Sequence, residues 1–285
     1  MAVTVVADSI CSPSSAKVKE LGIEIVPINI HFGNQIYLDL LEIQPADFYR
    51  RLPSAGELPT TSAPSMERFK VTYEKILDAG HSVFCLTVTS ALSLTHNSMT
   101  QARDEFPDYL ANKICIMDSE AAGASAGLMV IEAAKLARQG LSNEAIEVKI
   151  KELIPNCKLV VMFDTLEYIR KSGRVGKVAA VAGELFQVKP VIYLHRGKPQ
   201  FFGRPRGKRQ AIAMIMDQFV RDIANAKDLR VAVTHANVEE EALALAEEVK
   251  AAYPGLEIDI VPFTPAMGAH AGPGVLGIGY TFRNS

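Results

Sequence analysis

The sequence predicts an α/β fold: an N-terminal parallel sheet flanked by helices, followed by a C-terminal α/β domain. Short β-branched runs alternate with helical patterns through the first half, which is the pattern of a parallel sheet with helices on its faces. The chain has 285 residues, more than one ordinary domain, so two are expected. Small polar residues follow three of the strand-like runs: Asp8-Ser9, Thr89-Ser90 and Asp118-Ser119. Ligands of such sheets bind beyond the carboxyl ends of the strands, so these three places predict a shared rim.

Taken in order, strand-like runs cover 3–7, 23–30, 82–87 and 113–117. Helical patterns fall at about 13–21, 65–79, 96–105 and 121–138. Pro13 fits the first position of a helix capped by Ser12, and Pro45 opens a helix running through Arg51. The second half begins with a strand at 158–163 and a short helical segment at 166–171 that Gly173 ends. Runs at 188–194 and 200–203 read as two strands around a turn at Gly197-Lys198. A long helix covers 208–226, where Ile212, Ile215, Phe219 and Ile223 recur at helical spacing. A strand at 230–234, a helix at 238–252 and a strand at 257–261 complete a further βαβ-like unit. The expected domains are 1–160 and 161–285, with a soft boundary near 155–165.

Composition narrows the function classes. Hydrophobic residues make up 48% of the chain and the formal charge is −2, which gives no bulk case for nucleic-acid binding. The N-terminus lacks a basic region and a long apolar core, so it reads as a strand and not a signal peptide. No apolar run is long enough to span a membrane. Cys11, Cys85, Cys115 and Cys157 are far apart and read as small core hydrophobes in a reducing compartment. A cytoplasmic protein without integral membrane association is expected. The six histidines show no zinc spacing, and neither a G-x-G-x-x-G fingerprint nor a Walker loop is present. No metal, cofactor or catalytic residue is therefore assigned.

Five stretches carry chemistry. Residues 59–65 place Thr60, Thr61 and Ser62 between Pro59 and Pro64, with Ser65 next, ahead of a helix. They read as anion donors, or as a solvated loop in which Ser65 is the N-cap. Residues 89–95 form a second hydroxyl-rich turn, in which Ser93 reads as a nucleophile lacking a G-x-S-x-G elbow or as a cap at the helix start. Arg174, beside Gly173, either reaches a carboxylate or phosphate bidentately or is a solvated charge. The tail, 267–280, holds His270 in a Gly/Ala/Pro loop before an apolar, glycine-spaced strand. That loop reads as the floor of a site, or as a tight turn with an incidental histidine. Arg204, Arg206, Lys208 and Arg209 form the sharpest charge cluster, suited to docking an acidic partner or to solvation as a turn.

In their order these pieces resemble the DegV family over essentially the whole chain. Asp8-Ser9, the 59–65 stretch, Leu92-Ser93, Asp118-Ser119, residues 165–174, Lys189-Pro190 and the 268–277 tail stand where the family has its motifs. Ile10, Ala63 and Leu94 depart from the family's usual Thr, Gln and Gly. Leu94 matters most, because a side chain there can crowd a head group or demand a different turn. The resemblance implies a two-domain carrier of one long-chain fatty acid, with the ligand at the domain junction. It implies that Thr61, Ser62, Ser93, His270 and Arg174 hold the carboxylate. It further implies that a separate ATP-dependent kinase subunit, docked at Arg204, Arg206, Lys208 and Arg209, makes the acyl phosphate. The alternatives are a serine hydrolase or acyltransferase using Ser93 and His270, and a lipid sensor without a kinase.

Overall fold

A run of β-branched residues makes β1 (Val3–Asp8), whose last four residues are buried. It pairs in parallel with β2 (Glu24–Val26) on one side and β6 (Ser82–Thr87) on the other. β6 in turn pairs in parallel with β7 (Ile114–Asp118). The resulting order β2-β1-β6-β7 sends the chain in opposite directions from β1 and β6, which opens a crevice at their carboxyl ends. The computed structural model describes residues 2–11, 13–173 and 188–284.

The expected strand over 23–30 is two strands. Pro27 cannot donate to a ladder, so β2 stops at Val26. β3 (Asn29–Phe32) starts a separate antiparallel sheet, ordered β4-β3-β5, with β4 (Gln35–Leu38) and β5 (Thr60–Ser62). The hydroxyl-rich stretch expected as a loop therefore contains a short edge strand. Its helical neighbour follows the expectation: Ser65 caps Met66–Asp78 by accepting from the Arg68 amide.

The second half forms a six-stranded sheet, β10-β9-β8-β13-β11-β12. Its strands are β8 (Lys158–Met162), β9 (Val191–His195), β10 (Lys198–Gly203), β11 (Ala226–His235), β12 (Ile258–Pro262) and β13 (Leu276–Asn284). β11 and β12 are parallel across the helix Glu239–Ala252, as the βαβ pattern predicted, and the other pairs are antiparallel. The helix expected over 208–226 ends at Asp222; residues 223–225 turn, and Ala226 already opens β11.

One helix joins the two main sheets. Gly123–Arg138 is apolar on nearly all sides and almost wholly buried, as a helix enclosed by protein must be. It packs on β1 on one flank and on β11 and β13 on the other. The contact is made at backbone distance: a Cβ on Gly279 of β13 would stand 2.7 Å from the Ser125 amide nitrogen. That close approach explains Gly279, while Gly277 is crowded by the backbone of Val160 and Val161 on β8. The next helix, Asn143–Leu153, was not anticipated, although Ile146, Ile150 and Leu153 are buried along one face. One core cluster, from Val5 to Val275, spans both halves of the chain.

The tail also departs from expectation. Residues 265–271 are a helix, not a loop. Pro265 sits in its first turn, Thr264 caps the Met267 amide, and Gly272 leaves it at φ 72°. A Cβ on Gly272 would lie 2.2 Å from the Tyr168 ring, so this glycine is required for both φ and space.

Candidate functional site

The crevice at the carboxyl ends of the parallel strands opens into a pocket of about 630 Å³. Ile10 follows β1, Ile28 follows β2, residues 90–94 follow β6 and Ala122 follows β7, and all of them line it. The six-stranded sheet supplies the facing wall. Leu159 and Val161 point into the pocket, while Val160 and Met162 point into the core behind the sheet, as strand alternation requires. Ile192 and Leu194 of β9 continue that wall. The volume and the mostly apolar lining with few polar groups are those of a small-molecule site.

The polar groups come from three places. Thr61 lies opposite Ile30 in the β3–β5 register, and its Oγ1 shares a 2.7 Å hydrogen bond with His270 Nε2. His270, Met267 and Ala271 share one face of the tail helix, and all three line the pocket. Ser93 lines it from the β6 rim. The Ser93 hydroxyl lies 2.8 Å from Thr95 Oγ1 and accepts from the Thr95 amide at 3.3 Å. Ser62 also borders the pocket, but its hydroxyl is held from the other side of the strand. There Asn29 Nδ2 donates to it at 3.2 Å and His31 Nε2 stands 2.9 Å away. Gly173 is part of the wall; Arg174 lies outside the described residues.

Leu94 resolves the concern raised by its sequence. Its φ of −88° is open to any L-residue, so no glycine is demanded there. Its side chain is 69% exposed at the pocket mouth and does not fill the interior.

The Asp-Ser pairs build the rim from behind. Asp118 accepts from the Ser90 and Glu120 amides at 2.9 and 2.7 Å. Asp8 is wholly buried and accepts from the Val88 and Ile10 amides at 2.8 and 3.0 Å. Burial pushes its carboxyl up to about 6, with those amides partly opposing the shift. Ser9 Oγ donates to Asp39 Oδ2 at 2.6 Å and accepts from the Ile28 amide at 3.1 Å. Asp39, just past β4, is 1% exposed and accepts the Ala266 amide at the start of the tail helix. Burial raises its carboxyl to about 6 as well. Sequence reasoning missed Asp39, Asn29 and His31, because nothing in their local pattern marks them. Their partners are brought in by topology.

On the far side of the tail, Lys189 ion-pairs with Asp164, and its amide donates to the Pro205 carbonyl at 3.0 Å. The basic cluster begins there. Arg204 lies over the Phe201 ring at 5.2 Å and Lys208 pairs with Glu241. Arg206 and Arg209 are exposed. Lys208 and Arg209 open the helix Lys208–Asp222, at the start expected for it.

Comparison with known proteins follows this geometry. The family model described as "Uncharacterised protein, DegV family" matches residues 2–283. The Bacillus subtilis protein DegV is 29% identical over 286 residues, covering 99% of this chain and all of that one. A DegV family protein from Thermus thermophilus, solved for its fatty acid binding, superposes with a TM-score of 0.92 at 30% identity, covering 99% of this chain and 100% of that one. A stearic acid-binding protein from Eubacterium ventriosum superposes at 0.89 with 25% identity, covering 98% of each. The match to fold and sequence over nearly every residue makes this chain a member of the DegV family.

Proposed function

We propose that this chain binds one long-chain fatty acid at the junction of its two units, residues 1–160 and 161–285, and presents the carboxylate to a separate ATP-dependent kinase subunit. The observation that carries the reading is the pocket itself: apolar over most of its wall, with Thr61, Ser93 and His270 on its lining. The Thermus and Eubacterium relatives support it, since they are described as binding fatty acids.

The energetics are of the right size. Burying a sixteen-carbon chain gains on the order of 12 kcal/mol at ~0.8 kcal/mol per methylene. Association and ordering remove about 4–15 kcal/mol of that. The head group must then be paired, because a buried lone carboxylate is costly. Hydrogen bonds to it from Thr61, Ser93 and His270, with Arg174, contribute roughly 1.5–3 kcal/mol each; the Ser62 hydroxyl, engaged by Asn29 and His31, is not among them.

In the kinase step a carboxylate oxygen attacks the γ-phosphorus of ATP, the new O–P bond forms, and ADP leaves. The exposed Arg206 and Arg209, with Arg204 and Lys208, are the docking surface. Lys208 and Arg209 sit at a helix N-terminus, where cations oppose the helix dipole. Glu241 pairs with Lys208, and the place of Arg209 is better explained by a partner than by stability. The carrier works in the cytoplasm and performs no turnover alone. Hydrolysis by Ser93 and His270 is disfavoured by geometry, because His270 Nε2 bonds Thr61 and Ser93 bonds Thr95, whereas a nucleophile and its base must meet.

Mass spectrometry of lipid released from the purified protein should find about one fatty acid per chain. A protein that is empty and also refuses saturating palmitate and oleate would overturn the binding reading. With ATP and a kinase subunit, Arg206→Glu should slow acyl-phosphate formation and leave fatty-acid affinity intact. Acyl phosphate made by the isolated chain would overturn the carrier reading.

A further inference from the structure

Ser9 and Asp39 are not part of the pocket lining, yet they hold both sides of the Thr61–His270 contact. Ser9 accepts the Ile28 amide, one residue before β3. β3 is the strand on which β5 and Thr61 are registered. The same hydroxyl donates to Asp39 Oδ2, and Asp39 Oδ1 takes the Ala266 amide of the helix that carries His270. A single hydroxyl thus links the strand of one partner to the helix of the other.

The tail helix depends on this grip. The first amides of any helix lack intrahelical acceptors. Here Pro265 has no N–H, Ala266 donates to Asp39, and Met267 donates to Thr264 Oγ1. Gly268 then makes the first intrahelical bond, to the Thr264 carbonyl. Every donor of the first turn is accounted for, and Asp39 is the one acceptor contributed from a distant segment. Gly268 also packs flat on Phe48 and Tyr49, where a Cβ would stand 2.7 Å from both. The helix is therefore seated against the 39–49 segment, and a slip at Ala266 is transmitted to His270 about 6 Å along the axis.

We propose that Asp39, aligned by Ser9, is a positioning residue for His270 and, through the Thr61–His270 pair, for the carboxylate of the ligand. Its consequence for affinity rests on the fatty-acid reading above; its consequence for His270 does not. The pairing also gives the Asp8-Ser9 motif a task, since Asp8 fixes the β1 turn from which Ser9 reaches Asp39.

The test uses the full chain with ¹⁵N-labelled histidines. Long-range ¹H–¹⁵N spectra report ring tautomer and hydrogen bonding, and His270→Gln assigns the relevant signals. His81, bonded to Thr4 at the other end of the parallel sheet, is the internal control. Ser9→Ala, Asp39→Asn and Asp39→Ala are compared, with a fluorescent polyene fatty acid as the binding probe. In the ligand-free variants the His270 signals should move while those of His81 stay. Probe affinity should fall ~10-fold in Ser9→Ala, the equivalent of one hydrogen bond to a charged group. It should fall further in Asp39→Ala, with Asp39→Asn closer to the parent because the amide keeps an acceptor for Ala266. Lower stability with His270 signals and affinity unchanged in Ser9→Ala and Asp39→Asn overturns the proposal. If Asp39→Ala does not fold, those two variants still decide. If the parent refuses the probe, the fatty-acid reading fails, and the His270 signals alone judge the positioning role.

Discussion

Two carboxylate systems in this molecule are built on opposite principles. Behind the pocket rim, Asp8 and Asp39 are held by amides and hydroxyls, with no cation paired to either carboxyl among the described residues. Across the six-stranded sheet, Asp222 pairs with Lys158 at 2.8 Å and accepts from Tyr280 at 2.6 Å and Tyr193 at 3.2 Å. Burial raises the first two carboxyls to about 6. Burial also works to raise Asp222, but hydrogen bonds from Lys158, Tyr280 and Gln218 outweigh it and hold that carboxyl below its ordinary value. The paired acid is structural cement between β8, β13 and the helix Lys208–Asp222. The cation-free acids sit where the chain steers backbone around the pocket, and dipoles are the means of doing so.

The contrast predicts its largest effect at Lys158. Lys158→Met leaves Asp222 nearly buried without its cation, and breaking such a pair costs about 3–5 kcal/mol. Urea unfolding should show that loss, while fatty-acid affinity of the folded variant stays within about two-fold, below the energy of one hydrogen bond. A loss under ~1 kcal/mol would put the pair among weak surface bridges and remove the contrast.

The next effect concerns pH. A folded-state carboxyl raised from 3.8 to about 6 keeps a proton that the unfolded chain has already released between those values. Its contribution to stability therefore falls as pH rises from about 4 to about 6 and is level above. About two units correspond to about 3 kcal/mol for one such group. Asp222 runs the other way: its stabilisation is present above its unfolded value and is lost as pH falls through the lower folded one. Urea titrations of the parent and Asp39→Asn across pH 4–7 should give a difference that declines through this window. A flat difference would mean that Asp39 is not the proton holder.

Smaller effects belong to the head-group end. Thr61→Ala and Ser93→Ala should each weaken fatty-acid binding by roughly 1.5–3 kcal/mol with little change in thermal midpoint, since neither side chain is in the apolar core. Isothermal titration with oleate measures both. If neither changes affinity, the carboxylate lies elsewhere in the pocket.

The same contrast shows what was legible in the sequence. β-branched runs disclosed the parallel sheet, and Pro45 and Ser65 the starts of two helices, because those signals are local; the start expected at Ser12-Pro13 falls two residues later, where Ser14 caps Ser15–Leu21. Thr60–Ser62 escaped notice as a strand because an edge strand of hydroxyl residues between prolines has no apolar alternation. The tail helix escaped because its Ala/Gly composition reads as a loop, although Thr264-Pro265 is a helix-start signal. Thr61, Ser93 and His270 were legible as members of one pocket through family order. Asp39 was not, because Leu38-Asp39-Leu40 carries no mark of its partners 30 and 227 residues away.

Leu94 gives the smallest expected effect and the sharpest check on reading a family pattern too literally. The family glycine implied a conformational need, but φ here is −88°, where leucine is unstrained. Leu94 precedes the helix Thr95–Asp104 as its N-cap and makes no side-chain cap bond. Glycine is a better N-cap than leucine, by about 0.5–1 kcal/mol. Against that, glycine loses more backbone entropy on folding, and a mostly exposed leucine has little burial to forfeit. Leu94→Gly should therefore leave stability within about 0.5 kcal/mol. Fatty-acid affinity should change by less than about three-fold, under the 1.4 kcal/mol that a tenfold shift requires. A tenfold gain would show that the leucine obstructs the mouth. A tenfold loss would show that it closes over the ligand and belongs to the apolar wall.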